Sequence, residues 1–386
     1  MTTESGRSRL HRLLTAPPGG LGTWLGGAAL VVALIALVLV LTRGGGDEPR
    51  PGAAGTPGAS GTAGDPADPV PGTSVPLPPS ATATASDPGA TPADCPAATV
   101  TVTDADTLTA ALARATPGAR IHLADGTYPG TFQATSKGTA EKPISLCGGA
   151  GAVIDGGGVT KGYGLHLDGA DYWQVSGFTV RNAQKGVMGD GVHHVVISHL
   201  TVEQIGDEGI HLRKFSTDNL VADNVVRDTG KRRDKFGEGI YIGSATSNWG
   251  EISGGSPDAS DRNVIRGNKI SATTAESIDV KEGTSGGVVS GNTFDGSALT
   301  GADSWVDIKG NNWSITGNTG IHSPQDGFQT HQVADGWGRG NTFSGNEAVV
   351  DGAGFGFHFA PVENNRLTCD NKASGATAGL ANVTCQ

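Results

Sequence analysis

One short motif recurs along most of the chain, and its spacing limits the fold more than any other feature. It reads VSGFTV from Val175, VISHLTV from Val196, LVADNVV from Leu220, VIRGNKI from Val264, VVSGNTF from Val288, SITGNTG from Ser314, TFSGNEA from Thr342 and LTCDNKA from Leu367. The anchor residues are Gly177, His199, Asn224, Asn268, Asn292, Asn318, Asn346 and Asn371. Most steps are about 22 to 28 residues, the period of a solenoid. The step from Asn224 to Asn268 is longer by about one coil and marks an insertion. Asparagine tolerates left-handed backbone, and its amide can bond the next coil. The apolar residues around the anchors are largely β-branched, which favours strands. The fold class expected is all-β: a right-handed parallel β-helix with about one coil per repeat. A leucine-rich horseshoe fits poorly, because leucine is sparse and no LxxLxL frame repeats. The 62 glycines and 5% aromatic content agree with a turn-rich β protein.

Upstream of the repeats, residues 25–42 read LGGAALVVALIALVLVLT, uncharged and just long enough to cross a bilayer as a helix. Arg7, Arg9 and Arg12 precede it, whereas Arg43 alone follows closely, with Asp47 and Glu48 behind. The positive-inside rule puts residues 1–24 in the cytoplasm and the remainder outside, a single-pass membrane anchor. A cleaved signal peptide, giving a secreted protein, is the rival reading. Residues 43–94 are rich in Pro, Gly, Ala, Ser and Thr and read as a disordered linker. The β-helix domain then spans 95–386. It opens with TDADTLTAALARATPG, whose Leu108, Ala111, Leu112 and Ala115 recur at helical spacing before Pro117-Gly118. A short helix there would cap the open end of the stack. Four cysteines outside the cell favour disulfides, and pairing Cys95 with Cys147 and Cys369 with Cys385 would pin the two ends. Free buried thiols are the alternative.

Each coil carries a second strand about a dozen residues after its anchor. Aligned by apolar residues, these strands stack two outward columns. The first runs His166, Met188, His211, Tyr241, Asp279, Asp307, Gln329 and Gly356; the second runs Asp168, Asp190, Arg213, Gly243, Lys281, Lys309, His331 and His358. A partly acidic column of Glu208, Glu238, Glu276 and Asp326 precedes the strands. Adjacent strands lie about 4.8 Å apart. Asp279 therefore faces Asp307, and Lys281 faces Lys309. Like charges across a ladder are destabilising, so a solvated face selected for stability should avoid them unless diagonal Asp–Lys contacts recover the cost. A ligand that neutralises both columns is the functional reading. An anionic polymer, such as a polysaccharide of sugar acids, would sit on the lysines. A cation would sit on Glu276, Asp279 and Asp307, and oxygen-only ligands on a fixed scaffold suit Ca2+. Arg213, His211, Tyr241 and His331 surround these columns as substrate-binding groups. The loop RDTGKRRDKFGEG adds Lys231, Arg232, Arg233 and Lys235 one to two coils away. Trp249, Trp305 and Trp337 could stack on sugar rings, although packing is the plainer reading of each. The net charge of -11 argues against nucleic acid as the partner. The chain is expected to be a monomer. The coil register is not fixed by the pattern across the insertion from 245 to 262.

IHLADGTYPGTFQATSKGTAEKPISL, from Ile121 to Leu146, resembles the opening coil of the chondroitinase B and alginate lyase family of polysaccharide lyases, and ESIDVK, from Glu276 to Lys281, is similar to that family's E-x-I-x-x-K strand. The resemblance implies that Glu276 helps to bind calcium and that Lys281 is the catalytic base. It also implies an arginine one coil on, where this chain has Lys309. Asp279 and Asp307 are not part of the family pattern. The expected activity is β-elimination on a uronate polymer at the cell surface. Lys281 takes the proton and Lys309 assists by like-charge repulsion that lowers the base's proton affinity. A glycoside hydrolase using Asp279 with Asp307, or Glu276 with Asp307, an epimerase, and a non-catalytic glycan-binding module are the alternatives.

Overall fold

The computed structural model describes residues 95–386. The anticipated cytoplasmic terminus (1–24), membrane segment (25–42) and linker (43–94) lie outside the described residues. Among the described residues, no helix is long and apolar enough to cross a membrane.

The period of the repeats becomes three parallel sheets of 11, 10 and 10 strands, and successive coils contribute one strand to each. The anchor motif supplies two strands with a bend between them. Val264–Arg266 and Lys269–Ser271, for example, belong to different sheets and flank Gly267-Asn268. The third strand of the same coil, Ile278–Val280, lies in the sheet that carries the outward columns. One residue per pleat points inward, so Ile265, Ile270, Ile278 and Val280 all enter one continuous apolar core. The expected helix spans Ala105–Ala113. Asp104 caps it by accepting from Thr107 N at 2.8 Å, and Leu108 and Leu112 are buried against the first coil. Disulfides join Cys95 to Cys147 and Cys369 to Cys385, the pairing expected from the positions of the four residues.

The asparagine anchors form a buried ladder. The Nδ2 groups of Asn224, Asn268, Asn292, Asn318 and Asn346 each donate at 2.9 Å to the Oδ1 of the next anchor. Each of these Oδ1 atoms also accepts from the backbone N–H of the preceding anchor, as Asn268 Oδ1 does from Asn224 N at 3.0 Å. A second ladder, not evident in the repeat, links Asn219 to Asn263 at another corner at 2.9 Å. Two early anchors lack an amide: Gly177 and His199 occupy the left-handed region with φ 89 and 55. A Cβ at Gly177 would fall 2.2 Å from Gly148 O, so only glycine fits there.

One sequence alignment needs correction. In the last aligned coil Gln329 pairs with His358 and His331 with Ala360. His358 therefore belongs to the first column and Gly356 to neither. GFGFHF repeats its Gly-Phe step, so a two-residue shift preserves the apolar alternation, and the longer strand Phe355–Ala360 takes the shifted register. The insertion hides no strand: Tyr241 pairs directly with Asp279. It forms a 3-10 turn, Thr246–Asn248, and a short helix, Trp249–Ile252.

Asn268→Ala should strand Asn224 N–H and Val221 C=O, two buried groups that its amide satisfies. At about 1–3 kcal/mol for each unsatisfied group, the melting temperature followed by circular dichroism should fall by several degrees. An unchanged melting temperature would mean that the ladder does not hold the coils in register.

Candidate functional site

The two outward columns stack as the alternation demands. His211, Tyr241, Asp279, Asp307 and Gln329 are cross-strand neighbours in sequence order. Lys281 N bonds Ile242 O at 2.9 Å and Lys309 N bonds Val280 O at 2.7 Å, which carries the ladder into the second column. The face is not an open surface, however. Asp279 is 1% exposed, Asp307 3% and Lys309 7%.

Burial changes how like faces like. The charges interlock as a chain: His331 Nδ1 to Asp307 Oδ2 at 2.8 Å, Asp307 Oδ2 to Lys309 Nζ at 2.8 Å, Lys309 Nζ to Asp279 Oδ1 at 2.8 Å, and Asp279 Oδ2 to Lys281 Nζ at 2.7 Å. The lysines thus sit between the aspartates, not against each other. Burial disfavours the Lys309 ammonium, but Asp279, Asp307 and Glu276 overcome it and hold its pKa well above the ordinary lysine value. Burial likewise opposes the Asp307 anion, and Lys309 and His331 still hold its pKa well below the usual carboxylate range. Lys309 is therefore a fixed cation, facing carboxylates on either side. The expected repulsion of Lys281 by Lys309 is screened by Asp279, which touches both.

Beside this chain lies an acidic group. One carboxylate oxygen from each of Glu238, Glu276 and Asp279 falls within 4.8 Å of the others. Burial and the neighbouring Asp279 raise the Glu276 pKa to about 7. Burial, Glu208 and Asp279 raise that of Glu238 well above its ordinary value. Both carboxyls therefore lean toward the protonated form. Of the anticipated calcium ligands, the structure brings Glu276 and Asp279 together, adds Glu238, and turns Asp307 to His331 and Lys309. The donor set does not fit calcium alongside Lys309. Both Asp279 oxygens are taken by ammonium groups, and Glu276 Oε1 already lies 3.6 Å from Lys309 Nζ. Calcium asks for six to eight oxygen ligands.

A cleft of about 460 Å³ opens over the strands of Tyr241 and His211. Among the residues that line it are Lys185, Glu208, Arg213, Arg233, Lys235, Glu238 and Lys281. One wall is the loop around the 3-10 turn Asp234–Phe236. It is pinned because Arg232 and Arg233 both bond the fully buried Asp207, and the Arg233 guanidinium stacks on Phe236, 3.8 Å from the ring centroid. The other wall is the insertion. It is fastened by the buried Asp258 carboxylate, which accepts from Lys214 N, Phe215 N, Ser244 Oγ and Ser260 Oγ. Lys281 Nζ stands 5.1 Å from the centroid of the Tyr241 ring. Burial and Asp279 raise the Tyr241 pKa well above 10, so its hydroxyl keeps its proton. His211 packs edge-on to Tyr241 at 4.3 Å, and its Nε2 bonds Gly243 O. Burial, with Lys185 and Arg213 near, pushes its pKa well below 6.5 and keeps it neutral. Arg213 lines the cleft but spends its guanidinium on Asp190 at 2.6 Å. His331 lies beyond, at the far end of the charge chain.

Lys185 escaped the sequence reading although a signal was present. It sits one coil before Glu208 in the same column and bonds it at 2.8 Å. Trp305 is a core residue with no exposed surface, its Nε1 bonded to Ile321 O. Trp249 and Trp337 are half-buried.

Comparison with known proteins adds the following. A family model described as "NosD: Periplasmic copper-binding protein (NosD)" matches residues 149–319. No curated protein matches the chain. An alginate lyase from Paenibacillus sp. str. FPU-7 is 35% identical and superposes with a TM-score of 0.68, over 74% of this chain and 99% of that one. Pectate lyase Pel9A is 17% identical at a TM-score of 0.46, over 71% of this chain and 72% of that one. A Yersinia enterocolitica family 28 exopolygalacturonase is 14% identical at a TM-score of 0.47, over 72% and 73%. The last two are too distant to bear on function.

The raised Glu276 pKa has a sign that can be checked. Between about pH 4.5 and 7 the folded protein holds a proton that the unfolded chain has lost, so stability falls as pH rises across that window. Glu276→Gln should flatten this fall in melting temperature, leaving the part that belongs to Glu238 and His331. A variant whose melting temperature tracks wild type at every pH would show that Glu276 ionises normally in the fold.

Proposed function

Because the chain belongs to the parallel β-helix family that includes the Paenibacillus sp. str. FPU-7 alginate lyase, we propose that it is a polysaccharide lyase that cleaves a uronate-containing polymer by β-elimination. The observation that carries the reading is the pairing of Lys281 with a proton-bearing Tyr241 at one cleft, among Lys185, Arg213, Arg233 and Lys235. Neither Lys281 nor Tyr241 alone would distinguish a lyase from a binding groove.

The residues then divide the reaction as follows. Cleft cations face the carboxylate of the sugar and favour the charge that develops on it as the neighbouring proton leaves. Lys281, after giving its ammonium proton to solvent, takes that proton from the carbon bearing the carboxylate. The electron pair of the broken C–H bond becomes the new ring double bond, and the glycosidic C–O bond breaks. Tyr241, whose hydroxyl is protonated, gives its proton to the departing oxygen. Asp279 positions Lys281 through their 2.7 Å contact. Buried neutral His211 holds the Tyr241 ring from the side.

The hydrolase reading loses its reacting groups. It needs two carboxyls free to flank a sugar with a water or a nucleophilic face between them. Asp279 and Asp307 are buried and paired with lysines instead. Two disulfides suit an oxidising compartment, and we place the domain outside the cell, tethered by the apolar segment 25–42.

Purified full-length chain offered alginate, polygalacturonate, dermatan and chondroitin sulfates and hyaluronan should generate the ultraviolet absorbance of an unsaturated uronate on at least one of them. Lys281→Met should remove the activity, and Tyr241→Phe should lower kcat by about 10²–10⁴-fold, with both variants folded. New reducing ends without that absorbance would assign a hydrolase. Binding without turnover would leave a glycan-binding module.

A further inference from the structure

The resemblance implies a cation at Glu276, and the structure puts an ammonium there. Lys309 Nζ sits 2.8 Å from Asp279 Oδ1, 2.8 Å from Asp307 Oδ2 and 3.6 Å from Glu276 Oε1. It enters from the neighbouring coil, with its side chain 9% exposed. Three carboxylates around one cationic centre is what a divalent metal would be given. Glu238, which forms the acidic group with Glu276 and Asp279, is 5% exposed and has one carboxylate oxygen, Oε2, with no partner. That orphan oxygen shows that the cluster has more donor capacity than Lys309 uses. We infer that the Lys309 side chain replaces a divalent cation in this site, and that the wild-type site takes none. Lys309 is then a positioning residue that fixes Asp279, and through it Lys281. This goes beyond the lyase reading and does not depend on turnover.

The inference predicts more than indifference to calcium. Removing the ammonium should leave the acidic group of Glu238, Glu276 and Asp279 under-neutralised, with room for an ion. The test is a melting curve of full-length chain in chelator and in rising calcium, for wild type, Lys309→Met and Lys309→Arg. Calcium binding is read in parallel by calorimetry. Wild type should show the same melting temperature throughout and no binding heat. Lys309→Met should melt well below wild type in chelator and recover saturably with calcium, a response that Glu238→Gln should remove when added to it. Lys309→Arg keeps a cation and should ignore calcium. A saturable calcium shift in wild type would overturn the inference, as would a folded Lys309→Met that is indifferent to calcium. If Lys309→Met does not fold even in calcium, the wild-type titration and calorimetry still decide. None of these readouts uses a polysaccharide. A failed lyase assay would therefore leave the inference standing, and a calcium-binding wild type would leave the lyase assay to be judged alone.

Discussion

Everything at the site depends on one constraint, the axial register of the coils. A parallel strand pair set one residue off would send every inward side chain outward. The Asn ladder opposes that slip at each corner it occupies. Each rung's Oδ1 receives two donors from the coil before, so a shifted coil would leave at least three buried groups without partners. Hydrogen bonds in the core are worth little net, but unmade ones are costly. The ladder therefore acts less as glue than as a penalty on every wrong stacking. It runs from Asn224 to Asn371 without a break, across the coils that hold Tyr241, Lys281, Lys309 and His331. The polypeptide can then insert a long cleft wall between Ile242 and Val264 without disturbing the pairing of Tyr241 with Asp279.

With register secured, the fold can tolerate charges it would otherwise reject. Burying an ion costs several kcal/mol, recovered only when geometry and hydrogen bonds are near complete. The alternation of His331, Asp307, Lys309, Asp279 and Lys281 meets that demand, because each interior member touches an opposite charge on both sides. Single-strand chemistry could not produce it. Asp279 and Lys281 come from one coil, Asp307 and Lys309 from the next, and His331 from a third.

The fold was legible because repeats impose it: a β-branched run, an asparagine and a fixed step leave few alternatives. The Asp279–Asp307 and Lys281–Lys309 stacking followed from the same step. Three things were not legible, each for a physical reason. The depth of the columns was hidden, because the loops that bury them are set by tertiary contacts such as Asp207 with Arg232 and Arg233, 25 residues or more apart. The turn of Asp307 away from the acidic group was hidden, because it is a rotamer choice driven by His331 one coil on. The register of His358 was hidden, because alternation is blind to shifts of two.

The charge count of the acidic group bears on what the cleft accepts. Two lysines stand against two aspartates, and the pKa values of Glu238 and Glu276 are raised so that they lean to the neutral form. The group is thus close to neutral before any ligand arrives. A doubly charged metal added to it would have to displace an ammonium or ionise both glutamates. A carboxylate-bearing sugar meets a different balance. It approaches from the cleft side, where Arg233 and Lys235 line the wall and Lys281 reaches in. On the far half of the sheet the histidines are spent on buried carboxylates, His331 on Asp307 and His358 on Asp326. Under the lyase reading proposed above, a uronate polymer would be held with its carboxylate toward the basic wall, its adjoining proton toward Lys281 and its glycosidic oxygen toward Tyr241.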